Sequence, residues 1–335
     1  MAQPDPRPLC ELYDVAVLDL DGVVYIGRDA VPGAVDGLRA ARRHGMHLAF
    51  VTNNAARPPE VVAEHLRELG IDADPADVVT SAQAAAHLVA REVPAGSPVF
   101  VIGGSGLHEA LRERGLVPVT TSVDDPVAVV QGYGPEMPWK QVIDGAILVR
   151  EGLPWVVSNT DLTVPTPRGP GPGNGALVDL VAQYSGRTPV VAGKPLPPLF
   201  EETLERVGGE RPLVVGDRID TDIEGAHAVG WDSLLVMSGV TTITDLAVLA
   251  PALRPTYLGN DASCLSSVMV PVCPTVGPCS VDGWTAEVRD GCLGIVGSGS
   301  RDAWWQAAAA ALWGHLDAGG RPGDVVRAVP GSVLP

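Results

Sequence analysis

The sequence predicts an α/β protein: a doubly wound, parallel-sheet (Rossmannoid) core, an inserted α/β cap domain and a small C-terminal α+β appendage. Three observations carry this. Four short, almost wholly apolar runs end in polar residues: Val15-Ala16-Val17-Leu18 before Asp19, His47-Leu48-Ala49-Phe50-Val51 before Thr52, Leu213-Val214-Val215 before Gly216-Asp217, and Ser233-Leu234-Leu235-Val236-Met237 before Ser238-Gly239. Such runs are buried on both faces, as in a parallel sheet covered by helices. The stretches between them have helical spacing, and the rhythm breaks off between residues 80 and 191 and again after Tyr257.

Residues 34–43 place apolar side chains at helical intervals and stop at Gly45; residues 60–69 repeat the pattern and stop at Gly70. The break contains strand candidates at 99–102, 127–131 and 155–158 and a helix at 107–114. That segment of roughly 100 residues can bury a small core of its own, which makes it a cap. A Pro/Gly-rich loop at 165–175 leads to Asn174-Gly175, which opens a helix over 176–184. Gly193-Lys194-Pro195 returns the chain to the core, with Pro195 starting a helix through Val207. After Tyr257 the composition shifts: four of the five cysteines and four of the seven tryptophans lie beyond it. Two strands at 284–288 and 293–296 flank Arg289-Asp290-Gly291, a hairpin signal, and Asp302 is placed to cap a helix through Leu316. On that helix Trp304, Trp305 and Trp313 form an apolar stripe that needs a partner, the core being favoured over a second subunit. The domain boundaries read from this are 1–82 with 189–260 for the core, 83–188 for the cap, and 261–335 for a module to which no role is assigned.

Composition narrows the function. With 46% hydrophobic and 19% charged residues the chain has material for a packed core. A net charge of −17 disfavours nucleic acid and anionic membranes as partners. Residues 1–14 lack the apolar stretch expected of a secretory signal, and the apolar helix candidate at 304–316 is too short to cross ~30 Å of hydrocarbon. Five cysteines, an odd number, do not make a disulfide scaffold, and Cys264, Cys273 and Cys279 lack zinc-ligand spacing. A cytoplasmic enzyme is expected, acting on a small metabolite, with its oligomeric state left open between monomer and homo-oligomer. Only Lys140 and Lys194 among the 23 basic residues are lysine, so each invites a question.

The chemistry sits at strand ends. Asp19-Leu20-Asp21-Gly22 pairs two carboxylates after the first strand, a set suited to Mg²⁺-assisted phosphoryl transfer, although an isolated Asp-x-Asp-Gly also fits an acidic turn. Thr52-Asn53-Asn54 offers a hydroxyl and a backbone N–H to phosphate oxygens. Lys194 offers an ammonium, and Gly216-Asp217-Arg218-Ile219-Asp220-Thr221-Asp222 adds carboxylates to complete a metal site.

Residues 10–260 resemble the haloacid dehalogenase superfamily, in the phosphoglycolate phosphatase/4-nitrophenylphosphatase-like branch with a type IIA cap. The resemblance is carried by Asp19-Leu20-Asp21-Gly22-Val23-Val24-Tyr25, Ile102-Gly103-Gly104-Ser105-Gly106-Leu107, Ser158-Asn159-Thr160-Asp161, Pro172-Gly173-Asn174-Gly175, Gly193-Lys194-Pro195, and Gly216-Asp217-Arg218 with Thr221-Asp222-Ile223. It implies a Mg²⁺-dependent phosphatase of small phosphate monoesters working through an aspartyl-phosphate. Asp19 would be the nucleophile and Asp21 the general acid and base. Asp19, Asp217 and the Asp21 carbonyl would hold Mg²⁺, with Asp222 behind them. Thr52, the Asn53 N–H and Lys194 would bind phosphate. Asp220 reads as a solvated loop acid, and Asn159 and Asp161 as an Asx turn near the hinge. Glycerol 3-phosphate or 2-phosphoglycolate is the favoured substrate, ahead of pyridoxal phosphate, a sugar phosphate or a nucleoside monophosphate. A dehalogenase would need neither Asp21 nor a metal. A phospho-accepting signalling protein is the remote alternative, disfavoured because such modules are shorter and carry no cap.

Overall fold

Residues 5–166 and 168–321 are described in the computed structural model, and they fall into two units: Met1–Leu48 with Gly209–Pro335, and Ala49–Gly208. In the first, strands run in the order Tyr257–Gly259, Asp232–Val236, Pro212–Gly216, Val15–Leu18, each pair parallel. Every residue of Val15–Leu18 and Pro212–Gly216 is buried, which is the two-sided burial that unbroken apolar runs imply. Leu18 lies opposite Val215, and the Asp19 N–H donates to the Val215 carbonyl at 2.9 Å, so the polar residues after both strands emerge together at the carboxyl end of the sheet. The helix Ala34–Arg43 forms where its periodicity places it and is followed by Gly45 at φ +90°.

The strand His47–Thr52 carries the chain into the second unit. There Phe50, Val51 and Thr52 pair in parallel with Val78, Val79 and Thr80. Thr80 then caps the helix Ser81–Glu92 in a reciprocal capping box with Gln83. A separate five-stranded sheet, all parallel, follows the order Val190–Val191, Trp155–Val157, Ala128–Gln131, Pro98–Ile102, Val117–Val119. Its helices include Ser105–Glu113, Trp139–Glu151 and Asn174–Ser185. Two local expectations are corrected here. The stretch read as a Pro/Gly loop contains an antiparallel ribbon, Thr163–Thr166 against Gly169–Pro172; a two-stranded ribbon tolerates proline because much of its backbone needs no ladder partner. The helix after Lys194 begins at Pro197 rather than Pro195, since Leu196 is extended and Pro197 takes a first-turn position whose N–H has no helical acceptor.

The C-terminal residues belong to the first unit. The hairpin pairs Trp284–Arg289 with Cys292–Gly297, and its turn residues Asp290 and Gly291 both have positive φ (49° and 73°), the backbone of a type I′ turn. A third strand, Cys279–Val281, joins it without a clear pattern of its own. The helix Arg301–Asp317 is capped by Ser300, whose hydroxyl accepts from Ala303 N–H; Asp302 instead accepts from the Asn260 N–H at 2.7 Å. The expectation of a single apolar stripe is also corrected: residues 303–314 are buried on all sides. This helix lies against the three-stranded sheet and the edge strand Tyr257–Gly259, and its tryptophans share a core with Ile223, Leu235, Leu246 and Leu258. The helix is thus packed on the parallel-sheet core, the partner expected for it.

Candidate active site

Three carboxylates meet at the carboxyl end of the central strands of the first unit. Asp19, Asp217 and Asp222 each offer a ligand oxygen, and these atoms lie within 4.8 Å of one another. Asp217 and Asp222 are 1% exposed. Close-set carboxylates repel one another, and a hard divalent cation offsets that repulsion. The donor set therefore fits such an ion: all oxygen and all short side chains, Asp19 and Asp217 directly after strands and Asp222 in the helical turn Ile219–Ile223.

The backbone does the fixing. Gly22, at φ +88°, turns the chain directly after Asp21, and a methyl at that position would overlap the Asp217 carboxylate. Methyls at Gly216 and Gly239 would overlap Asp222 and Asp217. Arg218 N–H donates to Asp222 Oδ2 at 3.1 Å. Val240 N–H donates to Asp217 Oδ2 at 2.8 Å, and the Thr241 hydroxyl to the Asp217 carbonyl at 2.6 Å. Ser238 Oγ donates to the Gly22 carbonyl at 2.6 Å, so one loop, 238–242, grips both Asp217 and the Asp21-Gly22 turn. The sequence marks this loop only by the Ser238-Gly239 pair after a strand. Asp21 is exposed, and its side chain is outside the group of three; Asp220 is exposed and paired with Arg218 at 2.8 Å.

The second unit assembles Thr52, Asn53 and Lys194. Lys194 is 5% exposed, whereas Lys140 sits on the surface paired with Asp144. Asn53 closes on the main chain of Lys194 from both sides: its Oδ1 accepts from Lys194 N–H at 2.8 Å and its Nδ2 donates to the Lys194 carbonyl at 3.1 Å. The same Nδ2 donates to Asp161 Oδ1 at 3.1 Å. The Asn53 carbonyl accepts from Ser81 Oγ and Asn159 Nδ2 at 2.5 and 2.6 Å. Asn159 in turn accepts at its carbonyl from Asn174 Nδ2, 2.7 Å away. A methyl on Gly193 would lie 2.6 Å from Asn53 Oδ1, so glycine precedes the lysine for lack of room. Thr52 Oγ1 accepts from Asn54 N–H at 3.1 Å, which leaves its own proton to donate. The side-chain role of Asn53 and the part of Asn159 and Asn174 in holding it are absent from the sequence reading, because an amide's partners cannot be inferred from its neighbours in the chain.

A second metal-capable group, His87 with Glu202 and Glu205, is already occupied: buried Glu202 is bound by His87 at 2.7 Å and by Arg114 and Arg206. Among the described residues no cysteine joins such a group, and no helix is long and apolar enough to cross a membrane. Gly132, Tyr133, Gly134 and Met137 line a cavity of about 290 Å³ in the second unit, together with Asn174 and Leu177.

Comparison with known proteins agrees with this arrangement. Residues 16–117 match a family model for haloacid dehalogenase-like hydrolases, and residues 191–263 match a second, HAD-hydrolase-like model. The chain is 41% identical over 298 residues to the D-glycerol 3-phosphate phosphatase of Mycobacterium tuberculosis, covering 88% of this chain and 82% of that protein. It is 38% identical over 251 residues to the acid sugar phosphatase of Staphylococcus aureus, covering 74% of this chain and 95% of that one. The crystal structure of the Mycobacterium tuberculosis glycerol phosphate phosphatase in complex with magnesium superposes with a TM-score of 0.82 at 39% identity, over 92% of this chain and 93% of that one.

Proposed function

This chain belongs to the haloacid dehalogenase-like hydrolases and is a phosphoric monoester hydrolase; on that premise we propose that it is a Mg²⁺-dependent phosphatase whose substrate is glycerol 3-phosphate. The group of Asp19, Asp217 and Asp222 supports the chemistry, and the 41% identity to the glycerol 3-phosphate enzyme supports the substrate. 2-Phosphoglycolate is the next candidate.

In this reading Asp19 attacks phosphorus in line and the bond from phosphorus to the substrate oxygen breaks. Asp21 gives that oxygen its proton, so the alcohol leaves neutral. An aspartyl-phosphate on Asp19 results. Asp21, now a carboxylate, takes a proton from water, which attacks the phosphorus; inorganic phosphate leaves and Asp19 is restored. The exposure of Asp21 suits a group that must reach both a departing alcohol and an incoming water. Thr52 donates its hydroxyl proton to a phosphate oxygen, as does the Asn53 N–H. Lys194 neutralises the negative charge of the phosphate. Mg²⁺, held by Asp19, Asp217 and the Asp21 carbonyl with Asp222 supporting them, would supply further positive charge to the transferring group. Cytoplasmic location and self-association belong to the same proposal, and the exposed apolar row Trp139, Ile143, Ile147 on one helix is the first face to test for the latter.

Phosphate release measured over a metabolite panel, with and without Mg²⁺, tests this reading. Glycerol 3-phosphate is expected to give the highest kcat/KM, and chelation to abolish turnover. A tenfold preference for pyridoxal phosphate, a sugar phosphate or a nucleotide would overturn the substrate; turnover unaffected by chelation would overturn the mechanism.

A further inference from the structure

We propose that the C-terminal helix Arg301–Asp317 is a positioning element for the metal site, acting on Asp217 through the Trp313–Leu246 hydrogen bond and the loop 238–242. This rests on the reading of Asp217 as a metal ligand.

Each link of this route is a short contact. Val240 and Thr241 bond the side chain and main chain of Asp217, and Ser238 bonds the carbonyl of Gly22. Immediately after Thr241 the chain forms one helical turn, Ile243–Leu246, capped by Thr242 and Asp245. A four-residue helix does not stand by itself, because nucleation costs more than so few hydrogen bonds return. Its support is tertiary. Leu246, Ala247 and Leu249 are buried in the core that holds Trp304, Trp305 and Trp313. Trp313, 0% exposed, donates its indole N–H to the Leu246 carbonyl at 3.0 Å.

The helix is itself held in place. Arg254 lies 5.3 Å from the Trp313 ring and forms two 2.8 Å bonds with Asp317. On another side, a methyl at Gly314 would overlap the Thr275 carbonyl, so helix and neighbouring segment are in close backbone contact. A helix that can neither slide nor roll fixes the Leu246 carbonyl. That carbonyl ends the turn whose preceding residues grip Asp217.

The energetic consequence concerns the metal. If the grip on Asp217 is formed only part of the time, metal affinity falls by the fraction of molecules in which it is formed. The helix lies beyond residue 263, where the second family model ends. The sequence assigns no role to residues 261–335; the Trp313–Leu246 contact connects them to the loop that grips Asp217.

Isothermal titration of the full-length protein with Mg²⁺ alone tests the idea. Trp313→Phe keeps most of the packing and removes the N–H. It is expected to raise the Kd for Mg²⁺ about three- to tenfold, the factor corresponding to one hydrogen bond's net worth. KM for glycerol 3-phosphate at saturating Mg²⁺ should stay near the wild-type value. Thr241→Val should raise the same Kd, and the double variant should be no worse than the more damaging single one. A wild-type Kd in Trp313→Phe, or effects that multiply in the double variant, would overturn the proposal. Should Trp313→Phe not fold, the wild-type protein answers by NMR. Its Trp313 indole resonance is expected to move on Mg²⁺ addition, while that of Trp284, bonded to the Ser300 carbonyl, stays in place. No movement at Trp313 overturns the proposal. Asp217→Asn separates the two readings: unchanged Mg²⁺ binding there would sink the metal-ligand assignment itself.

Discussion

The carboxylates of the first unit and the lysine of the second are held by opposite means. Around the carboxylates of Asp217 and Asp222 the donors are main chain, the N–H groups of Val240 and Arg218, beside glycines whose missing side chains let the backbone close in; the Thr241 hydroxyl holds the Asp217 carbonyl. Around Lys194 the restraint is one side chain, the Asn53 amide, bonded to both main-chain groups of the lysine. The difference follows from what is being held. Backbone amides are neutral donors that suit anions and need no partner of their own. The main chain of Lys194 presents one donor and one acceptor to Asn53, and a carboxamide, with one donor end and one acceptor end, matches them. The first arrangement should therefore be sensitive to an added methyl, and the second to a single deletion.

The largest effect is expected at the reacting groups, which neither arrangement can replace. Asp19→Asn should abolish turnover with the fold intact, and Asp21→Asn should cost more than ~10²-fold in kcat. A tenth of wild-type activity in both would sink the mechanism. Next comes the backbone arrangement: Gly239→Ala, whose methyl would overlap the Asp217 carboxylate, should weaken Mg²⁺ activation at least about tenfold, a larger loss than its effect on Tm would suggest. Normal Mg²⁺ dependence in this variant would mean that the loop yields easily. The side-chain arrangement is probed by Asn53→Ala, expected to lower kcat about tenfold by releasing Lys194. Lys194→Arg should be badly impaired even though charge is kept, because a planar fork does not fill the place of a compact ammonium. Full activity in Lys194→Arg would show that charge alone matters there.

The smallest effect lies far from the reacting groups. Hydrogen bonding by Arg254 holds the Asp317 carboxyl below its ordinary value of 3.8. A depressed folded-state value contributes stability above pH 3.8 that is lost as the pH falls through the folded value. Asp317→Asn should therefore lower Tm slightly at pH 7, and the gap from wild type should narrow in acid. Because more than a third of the Asp317 side chain is exposed, solvent screening keeps the effect small. A gap that widens in acid would show that the pair does not stabilise the fold.

How much of this was legible depends on how local the signal was. The strands ending at Leu18, Thr52 and Gly216 were readable because burial on both faces leaves an unbroken apolar run. The Arg289-Asp290-Gly291 turn was readable because a type I′ turn needs residues that accept positive φ. The cap of the last helix was misassigned to Asp302, since Ser300 and Asp302 are both good caps and only the packing of Asn260 decides between them. The ribbon in the Pro/Gly stretch was hidden because its residues are poor strand formers individually.

By itself, then, the sequence determined the α/β class, the order of acidic, hydroxyl and lysine motifs along the chain, and the strand end at which each sits. These are properties of apolar periodicity and of residue chemistry within a few positions. Tertiary structure alone decided that Asn53 holds a lysine 141 residues away, that Thr241 holds an aspartate 24 residues before it, and that Trp313 reaches back 67 residues to Leu246. A hydrogen-bonding side chain carries the same chemistry wherever it lies in the sequence, and only the fold determines which distant partner comes within reach.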